Sequence, residues 1–414
     1  MTVFQNRWWI PVAACIGIMV GLPSVLVLSF PVFLKPVTAS LGWTRGMMSS
    51  APLVTGLATL VAQPLLGRLV DRFGFRPVML PAFVLFAFAM SCLSLLGPAI
   101  WMLYLIYGTA SFFGSSSGPL AYSKAVTLWF DTNRGLALGI ATAGAGFGTI
   151  VMPLLAEYLI QHHGWRTAYV TLAAISGVVG CAVVALFIRE PPGYRVAGPR
   201  TAPAVPGLTA GEAARRSWRF WMLAAIFFLG GVTINGTLAH SVALLTDRGW
   251  TPMQAAGVLS ASGAAAVAAR FIGGWCLDRL FAPWVAAFCM LVAATGEALL
   301  WSNAGGIAAI MGVLSLGIGL GLEIDAMGYL ISRYFGLRSF GEIYGWLFPA
   351  FTLGVALGPA LMGITYDRLH TYAPMLAAFF VLLLVTAALL SILGPYSFAP
   401  EKAPTRRPIA AARA

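Results

Sequence analysis

Four charged side chains interrupt the long apolar stretches of this chain: Arg270, Glu297, Glu323 and Asp325. If such a stretch spans a membrane, each charge costs at least about 2.5 kcal/mol, so it must face a cavity or a partner. An arginine guanidinium can hold a carboxylate with two parallel hydrogen bonds, and a carboxyl group in an apolar setting can take up a proton. The residue types therefore point to anion binding and proton binding.

Arg270 follows a run of small residues, 260–269, which leaves space beside its guanidinium. We therefore expect Arg270 to bind the carboxylate of a ligand. A second interpretation is that Arg270 only extends to the membrane boundary, because Trp275 lies about 8 Å further along the helix at 1.5 Å per residue.

Glu323 and Asp325 stand two positions apart, about 200° around a helix, so their carboxyl groups cannot share one face. Asp325 shares its face with Tyr329, which makes it the better candidate for a cavity. We predict that one of the two acids, with Asp325 preferred, binds a proton. The alternative is a permanent ion pair of either acid with Arg270 that merely locks two halves of the molecule together.

Three further polar side chains could complete a ligand site. Tyr122, His240 and Tyr329 offer hydrogen bonds from separate helices. His240 could also titrate near neutral pH, unless it lies at the outer surface, where it would simply be solvated. Glu297 lies on a helix expected at the lipid-facing side, and we assign it a structural role.

The elements that position these residues are expected to be membrane-spanning helices. Of the 414 residues, 59% are apolar and only 9% are charged, and the mean hydropathy is +0.87, which excludes a water-soluble globular enzyme. A span needs about 20 apolar residues. Breaks at charges, glycine and proline predict twelve helices, at 8–35, 45–67, 77–97, 100–129, 135–160, 166–188, 218–246, 252–276, 281–303, 305–332, 342–366 and 373–396.

One long polar connection divides the twelve helices into two sets of six. The predicted organisation is an N-terminal bundle, a linker, a C-terminal bundle and a tail, at 1–188, 189–217, 218–396 and 397–414. If both chain ends face the cytoplasm, nineteen of the 25 lysines and arginines lie on the cytoplasmic side and five lie outside. We therefore expect a multi-pass protein of the plasma membrane with both termini cytoplasmic.

The two halves repeat each other at a constant spacing of 207 residues. Corresponding segments are Gly42-Trp43-Thr44 and Gly249-Trp250-Thr251, Gly56 and Gly263, Gly67 and Gly274, and Asp71-Arg72 and Asp278-Arg279. This spacing indicates a duplicated six-helix unit. Duplicated halves of a membrane protein typically rock about a site near the midplane, which exposes that site to each side in turn.

The segment from Gly67 to Arg76, with Asp71, Arg72 and Gly74, resembles the signature of the loop between helices 2 and 3 in the major facilitator superfamily. Its second copy, Gly274 to Arg279 with Asp278, is shorter. We expect Asp71 to form a breakable polar latch among the neighbouring arginines. The run Gly139, Gly144, Gly146, Gly148 and Pro153 resembles the antiporter glycine motif of that superfamily, although such stripes mostly indicate close helix packing.

Other segments resemble the monocarboxylate and oxalate/formate branch of the superfamily: Asn6–Trp9, Leu41–Arg45, Trp129–Gly135 and Gly164–Tyr169. This resemblance implies that Arg270 on helix 8 binds a substrate carboxylate. The chain departs from the animal monocarboxylate transporters at two positions, since Leu28 replaces a lysine and Ala266 replaces an aspartate. It also lacks the helix 11 cation of the oxalate exchangers, and a single buried cation suits a monoanion.

The predicted fold is an all-α membrane protein with twelve helices in two pseudo-symmetric six-helix bundles. The predicted function is transport of a small organic monoanion such as lactate or pyruvate, coupled to protons, by a monomer in the lipid bilayer. Three alternatives remain: proton-driven efflux of a cationic or neutral apolar compound, exchange of organic anions, and a transporter-like sensor or assembly protein that moves nothing. We expect no enzymatic activity, cofactor, metal site or nucleic-acid partner, because no nucleophile with a base, phosphate-binding loop, metal-ligand cluster or basic patch appears.

Overall fold

The computed structural model describes residues 7–130, 134–189, 207–303, 305–336 and 339–398. We label the spans α1–α12, in the order of the predicted helices. α1 comprises Trp9–Met19, Pro23–Leu28 and Phe30–Leu41; α2 comprises Arg45–Ser49 and Ala51–Phe73; α3 comprises Phe75–Ser91 and Cys92–Leu95; α4 comprises Ile100–Gly114, Ser115–Ser117 and Pro119–Trp129; α5 and α6 are 134–163 and 165–187; and α7–α12 are Trp218–Asp247, Pro252–Arg279, Ala282–Trp301, Ile307–Phe335, Phe340–Leu369 and Ala373–Ser391.

These helices confirm the predicted number of spans. Within the described ranges, nine helices are long and apolar enough to cross a membrane. One of them holds two crossings, α5 and α6, because the chain turns at Gly164, whose φ is +78°. The broken helix α4 and the 23-residue segment Ala51–Phe73 complete the twelve.

Two of the spans are interrupted within the apolar region. α4 breaks at Gly118, and Pro119 begins its second segment, where the missing amide hydrogen of proline costs nothing. α1 passes through a π-helical segment, Pro23–Leu28, and continues to Leu41, six residues beyond its predicted end. Both breaks follow glycine or proline positions, which free backbone groups from the regular helical pattern.

The repeated Gly-Trp-Thr segments build the same turn in each half. Gly42 and Gly249 adopt positive φ values of +69° and +88°, which glycine tolerates without strain. The hydroxyl oxygens of Thr44 and Thr251 then accept hydrogen bonds from the backbone N–H groups of Met47 and Gln254, which caps the following helix. The repeat therefore fixes how α1 turns into α2 and how α7 turns into α8.

The bundles meet through two pairs of small residues that the repeat relates. A Cβ atom on Gly56 of α2 would touch Ala356 of α11, and a Cβ atom on Gly263 of α8 would overlap Thr149 of α5. Gly263 lies 207 residues after Gly56, and Ala356 lies 207 residues after Thr149, so the repeat relates one pair to the other. The halves thus pack by pseudo-two-fold symmetry, as expected for a duplicated unit.

We call the two ends of the molecule the closed end and the linker end. The closed end carries the turns that join α1 to α2, α7 to α8 and α11 to α12. The linker end carries a short helix, Ala210–Arg216, inside the predicted polar connection. Thr209 and Glu212 form a capping box there, and the Leu208 N–H donates to the Phe335 carbonyl at the end of α10.

Candidate functional site

The central candidate site is an ion pair between α8 and α10. The Arg270 Nε and the Asp325 Oδ2 lie 3.9 Å apart, and the two side chains are 27% and 41% exposed. Both helices belong to the C-terminal bundle, so the pair cannot lock the two halves together. That part of the alternative interpretation of the ion pair is wrong.

Small residues bring the two charges together. α8 and α10 run in parallel, and Cβ atoms on Gly317 and Gly321 would overlap the backbone of Ser262 and Ala266, respectively. The two residues in each of these contacts are 55 positions apart in the sequence. Asp325 and Arg270 are also 55 positions apart, and they lie one helical turn further along the same two helices. Close backbone contact thus sets the distance between a side chain on each helix.

Arg270 lies on the face of α8 that looks toward the N-terminal bundle. Gly263 packs on Thr149, and a Cβ atom on Gly146 would overlap Val267. Residues 263, 267 and 270 follow the i, i+4, i+7 spacing of one helical face. Arg270 therefore continues the interface between the bundles, at a depth where it and Asp325 are accessible.

Tyr344 of α11 is a third member of this site, and the sequence interpretation missed it. It interacts electrostatically with both Asp325 and Arg270. Its ring stacks on Phe348 at 5.6 Å, and Phe348 meets Phe351 at 5.7 Å. The site thus combines a guanidinium, a carboxyl and a phenol with a row of aromatic rings on one helix.

Glu323 and Glu297 lie inside the C-terminal bundle, away from solvent. The Glu323 side chain is buried, a Cβ atom on Gly230 of α7 would overlap it, and it lines a cavity of about 10 Å³ with apolar walls. Glu297 is fully buried beside Thr237 of α7. Among the described groups, neither carboxyl has a hydrogen-bond partner within standard geometry. Glu297 thus points from α9 into the bundle, whereas Trp284 and Phe288 of the same helix are exposed, and the structural role assigned to Glu297 stays a prediction.

Tyr329 and Tyr122 contact residues other than the Arg270–Asp325 pair. The Tyr329 hydroxyl accepts a hydrogen bond of 2.9 Å from Arg333, one turn toward the linker end. Tyr122 is fully buried, and its hydroxyl fills the space left by Gly17 of α1. The substrate roles assigned to both tyrosines stay predictions, and Tyr122 would need a change in the packing of α1 and α4 to reach a ligand.

His240 lies at the closed end, in contact with both bundles. Its Nδ1 is 3.0 Å from the Tyr372 hydroxyl, and its Nε2 is 3.0 Å from both the Ser49 hydroxyl and the Pro359 carbonyl oxygen. Ser49 belongs to the N-terminal bundle and the other partners belong to the C-terminal bundle. His240 is fully buried there rather than solvated at a surface.

Four charged residues and one tyrosine close this end of the molecule; this closure cluster comprises Lys35, Arg45, Asp247, Asp367 and Tyr372. Arg45 donates to Asp247 at 2.6 and 2.9 Å and to the Tyr372 hydroxyl at 2.5 Å, and Lys35 lies 2.6 Å from Asp247. The backbone N–H groups of Arg45 and Gly46 donate to Asp367. Every one of these bonds joins the two bundles.

The loop signature lies at the linker end. Gly74 adopts a φ of +89° between α2 and α3, and the Arg76 Nε donates to the Ile188 carbonyl at 2.8 Å, while Arg72 is exposed. In the second copy, open space surrounds Gly274, and Arg279 lies over the Trp275 ring at 4.1 Å. The side chains of Asp71 and Asp278 and the surroundings of Gly67 lie outside the described residues, so the latch expected at Asp71 stays a prediction.

Known proteins resemble this chain over most of its length. The probable nitrate/nitrite transporter NarK2 of Mycobacterium tuberculosis is 28% identical over 350 residues, which cover 79% of this chain and 83% of that protein. Human monocarboxylate transporter 11 is 26% identical over 376 residues, covering 87% and 77%, respectively. These relatives are transporters by name.

A solved structure and a family match agree with this fold. A bacterial homologue of the human lysosomal transporter Spinster, in an inward-facing and unoccupied conformation, superposes with a TM-score of 0.68 at 14% identity and covers 95% of this chain and 96% of its own. Residues 12–359 match the Major Facilitator Superfamily. The chain therefore belongs to the major facilitator superfamily and is a transporter rather than an enzyme.

Proposed function

We propose that this transporter carries a small organic monoanion, a monocarboxylate such as lactate or pyruvate, together with a proton. The observation that carries the proposal is the accessible pair of Arg270 and Asp325, 3.9 Å apart on α8 and α10. In this proposal the Arg270 guanidinium donates two parallel hydrogen bonds to the substrate carboxylate, and the Tyr344 hydroxyl of α11 donates a third. Tyr122, His240 and Tyr329 remain secondary candidates for substrate contacts.

The charge balance of the site favours a monoanion coupled to one proton. When Asp325 is ionised, it competes with a carboxylate for Arg270; when it is protonated, it leaves Arg270 free to bind the anion. Anion binding and protonation of Asp325 would therefore support each other. The relatives are named for monocarboxylates and for nitrate or nitrite, all of which are small monoanions.

The proposed orientation places the closed end outside the cell and the linker end in the cytoplasm. It rests on the excess of lysine and arginine in the segments at the linker end. In this orientation the protein is a monomer in the plasma membrane with both termini cytoplasmic, divided at 1–188, 189–217, 218–396 and 397–414. The structure then corresponds to a state closed to the outside.

The test is uptake of labelled lactate into liposomes that contain the purified protein, with and without a gradient that is acidic outside. We expect the gradient to stimulate uptake, and we expect Arg270→Lys to lower uptake by about tenfold or more, because an ammonium lacks the planar fork. The matched control is Arg166→Lys, since Arg166 donates to the Leu96 carbonyl within the N-terminal bundle. Equal uptake by Arg270→Lys and wild type would reject the carboxylate role.

Competitors separate this proposal from its alternatives. Unlabelled pyruvate and nitrate should compete with lactate, whereas lipophilic cations should not. Competition by lipophilic cations alone would favour efflux of a cationic compound, with Glu323 or Asp325 as the attracting acid. Counterflow that ignores the proton gradient would favour anion exchange, and the absence of counterflow for every anion and cation would favour a sensor.

A further inference from the structure

We propose that His240 is a proton-binding site that controls the closed end: a proton on His240 breaks the bonds that hold the two bundles together there. The proposal deepens the proton coupling proposed above and rests on it for its physiological meaning. The geometry around the imidazole carries the argument, because each of its ring nitrogens has a defined partner.

The partners of His240 determine which nitrogen carries the proton of the neutral ring. The Pro359 carbonyl oxygen, 3.0 Å from Nε2, can only accept a hydrogen bond, so Nε2 must be the protonated nitrogen. Nδ1 is then an acceptor, and the Tyr372 hydroxyl at 3.0 Å must donate to it. The lone pairs of the same Tyr372 oxygen accept from Arg45.

These bonds form one chain across the interface between the bundles. It runs from Asp247 through Arg45, Tyr372 and His240 to Pro359. The Ser49 hydroxyl of α2 lies 3.0 Å from the same Nε2, so its oxygen shares the Nε2 hydrogen as a second acceptor, from the N-terminal bundle. Closure of this end therefore depends on a neutral His240.

A second proton on the ring reverses the direction of one bond. Protonated Nδ1 becomes a donor, so the hydrogen of the buried Tyr372 hydroxyl loses its acceptor. The Tyr372 oxygen then accepts from both Arg45 and the imidazolium, two cations on one hydroxyl. When the bundles separate, water can satisfy these groups, so the proton favours the open arrangement.

The surrounding charges do not remove this conflict. Arg45, Asp247 and Asp367 act on His240, but Asp247 already accepts from Lys35 and Arg45, and Asp367 already accepts from two backbone N–H groups. On the side of α9, Glu297 neighbours Thr237, three residues before His240. Both carboxylates of the closure cluster are therefore already occupied in the closed state, and neither is free to pair with the imidazolium.

The test measures the opening of the closed end directly, without substrate. Spin labels attached through non-canonical amino acids at the exposed positions Ser40 and Ser302 report the distance between the bundles in lipid nanodiscs, and the five cysteines stay in place. Between pH 8 and pH 5.5 we expect a longer distance to gain population, by up to about tenfold per pH unit while a single site titrates. His240→Gln should lose this response.

His370→Asn is the matched control, because His370 is an exposed histidine at the same end of the molecule. It should keep the pH response. If the distances of the wild type do not change with pH, or if His240→Gln keeps the response, the proposal is overturned. Because no substrate is present, this result is independent of whether lactate uptake uses a proton through Asp325.

A second variant decides the question if His240→Gln does not fold. Tyr372→Phe removes the oxygen that Arg45 and His240 share, so we expect a larger open population at pH 8 and a weaker pH response. An unchanged pH response in Tyr372→Phe would contradict the proposal, because the conflict on that oxygen is its stated cause.

Discussion

Arg270 and Asp325 each follow, by one helical turn, a small residue that is in backbone contact with its counterpart on the neighbouring helix. Ala266 and Gly321 are that contact, and Ser262 and Gly317 repeat it one turn earlier. The ion pair is thus the third step of a parallel helix packing rather than an isolated meeting of two long side chains. Packing and chemistry at this site therefore depend on the same glycines.

The packing predicts that Gly321→Ala damages the site without touching either charge. The new methyl group would overlap the Ala266 carbonyl oxygen, so α8 and α10 must separate, at an expected cost of about 1–3 kcal/mol. Thermal unfolding in detergent and lactate binding measure the two effects. Gly257→Ala on α8 is the control, because open space surrounds that glycine, and we expect it to be stable or slightly stabilised.

Asp325→Asn separates proton coupling from anion movement. An amide cannot bind and release a proton, so accumulation driven by an acid gradient should fall to the level of empty liposomes. Exchange of lactate for lactate should persist, since Arg270 still offers its fork. Glu323→Gln is the comparison, and it should leave both activities close to wild type. If Asp325→Asn keeps gradient-driven accumulation while Glu323→Gln loses it, the coupling acid is Glu323.

Glu323→Leu should raise the stability of the protein. The buried carboxyl has no hydrogen-bond partner among the described groups and lines a small apolar cavity, so a side chain of similar size without polar atoms removes a desolvation cost. We expect a gain of about 1–3 kcal/mol, seen as a higher midpoint of thermal unfolding in detergent. A lower midpoint would show that the carboxyl makes stabilising bonds, for example to water in the cavity.

Gly363→Ala should open the closed end at every pH. A Cβ atom on Gly363 of α11 would come into contact with the backbone of Gly46, beside the bonds from Arg45 and Gly46 to Asp367. The distance between labels at positions 40 and 302 should lengthen. Gly345→Ala lies on the same helix in open space and should leave that distance unchanged. If Gly363→Ala leaves this distance unchanged, then α2 and α11 can make room for the new methyl group without loosening the closure cluster, and the prediction is wrong.

The helical pattern predicted the face of each acid on α10, because the angle between positions 323 and 325 is a property of the helix itself. Asp325 is exposed and Glu323 is buried, which confirms that argument. The number and order of the spans also follow from the sequence, because an apolar run of about 20 residues is typical of a membrane-spanning helix. Such predictions need no knowledge of how helices are arranged.

The positions that the sequence did not predict depend on the arrangement of helices. Tyr344 joins Arg270 only because α11 lies beside α8 and α10, and nothing in the local sequence around Tyr344 signals that contact. Arg45 and Asp247 are separated by 202 residues and meet only when the bundles close. The pattern of polar residues on α7 suggested that His240 faces other helices. Its position beside the closure cluster, which the pattern could not give, is the basis for the second role that we propose for it.

Two pairs of residues that the repeat relates, Gly56 with Ala356 and Gly263 with Thr149, are the contacts about which the bundles could rotate. Gly56 follows Arg45 by eleven residues, and Gly263 follows Pro252 by eleven, so both pairs lie about 16 Å below the closed end at 1.5 Å per residue. If the bundles pivot on these small contacts, a rotation of about 15° moves the groups of the closure cluster apart by about 4 Å, further than any of their hydrogen bonds can stretch. A modest tilt therefore breaks all of these bonds together, and the closed end should behave as a single all-or-none contact.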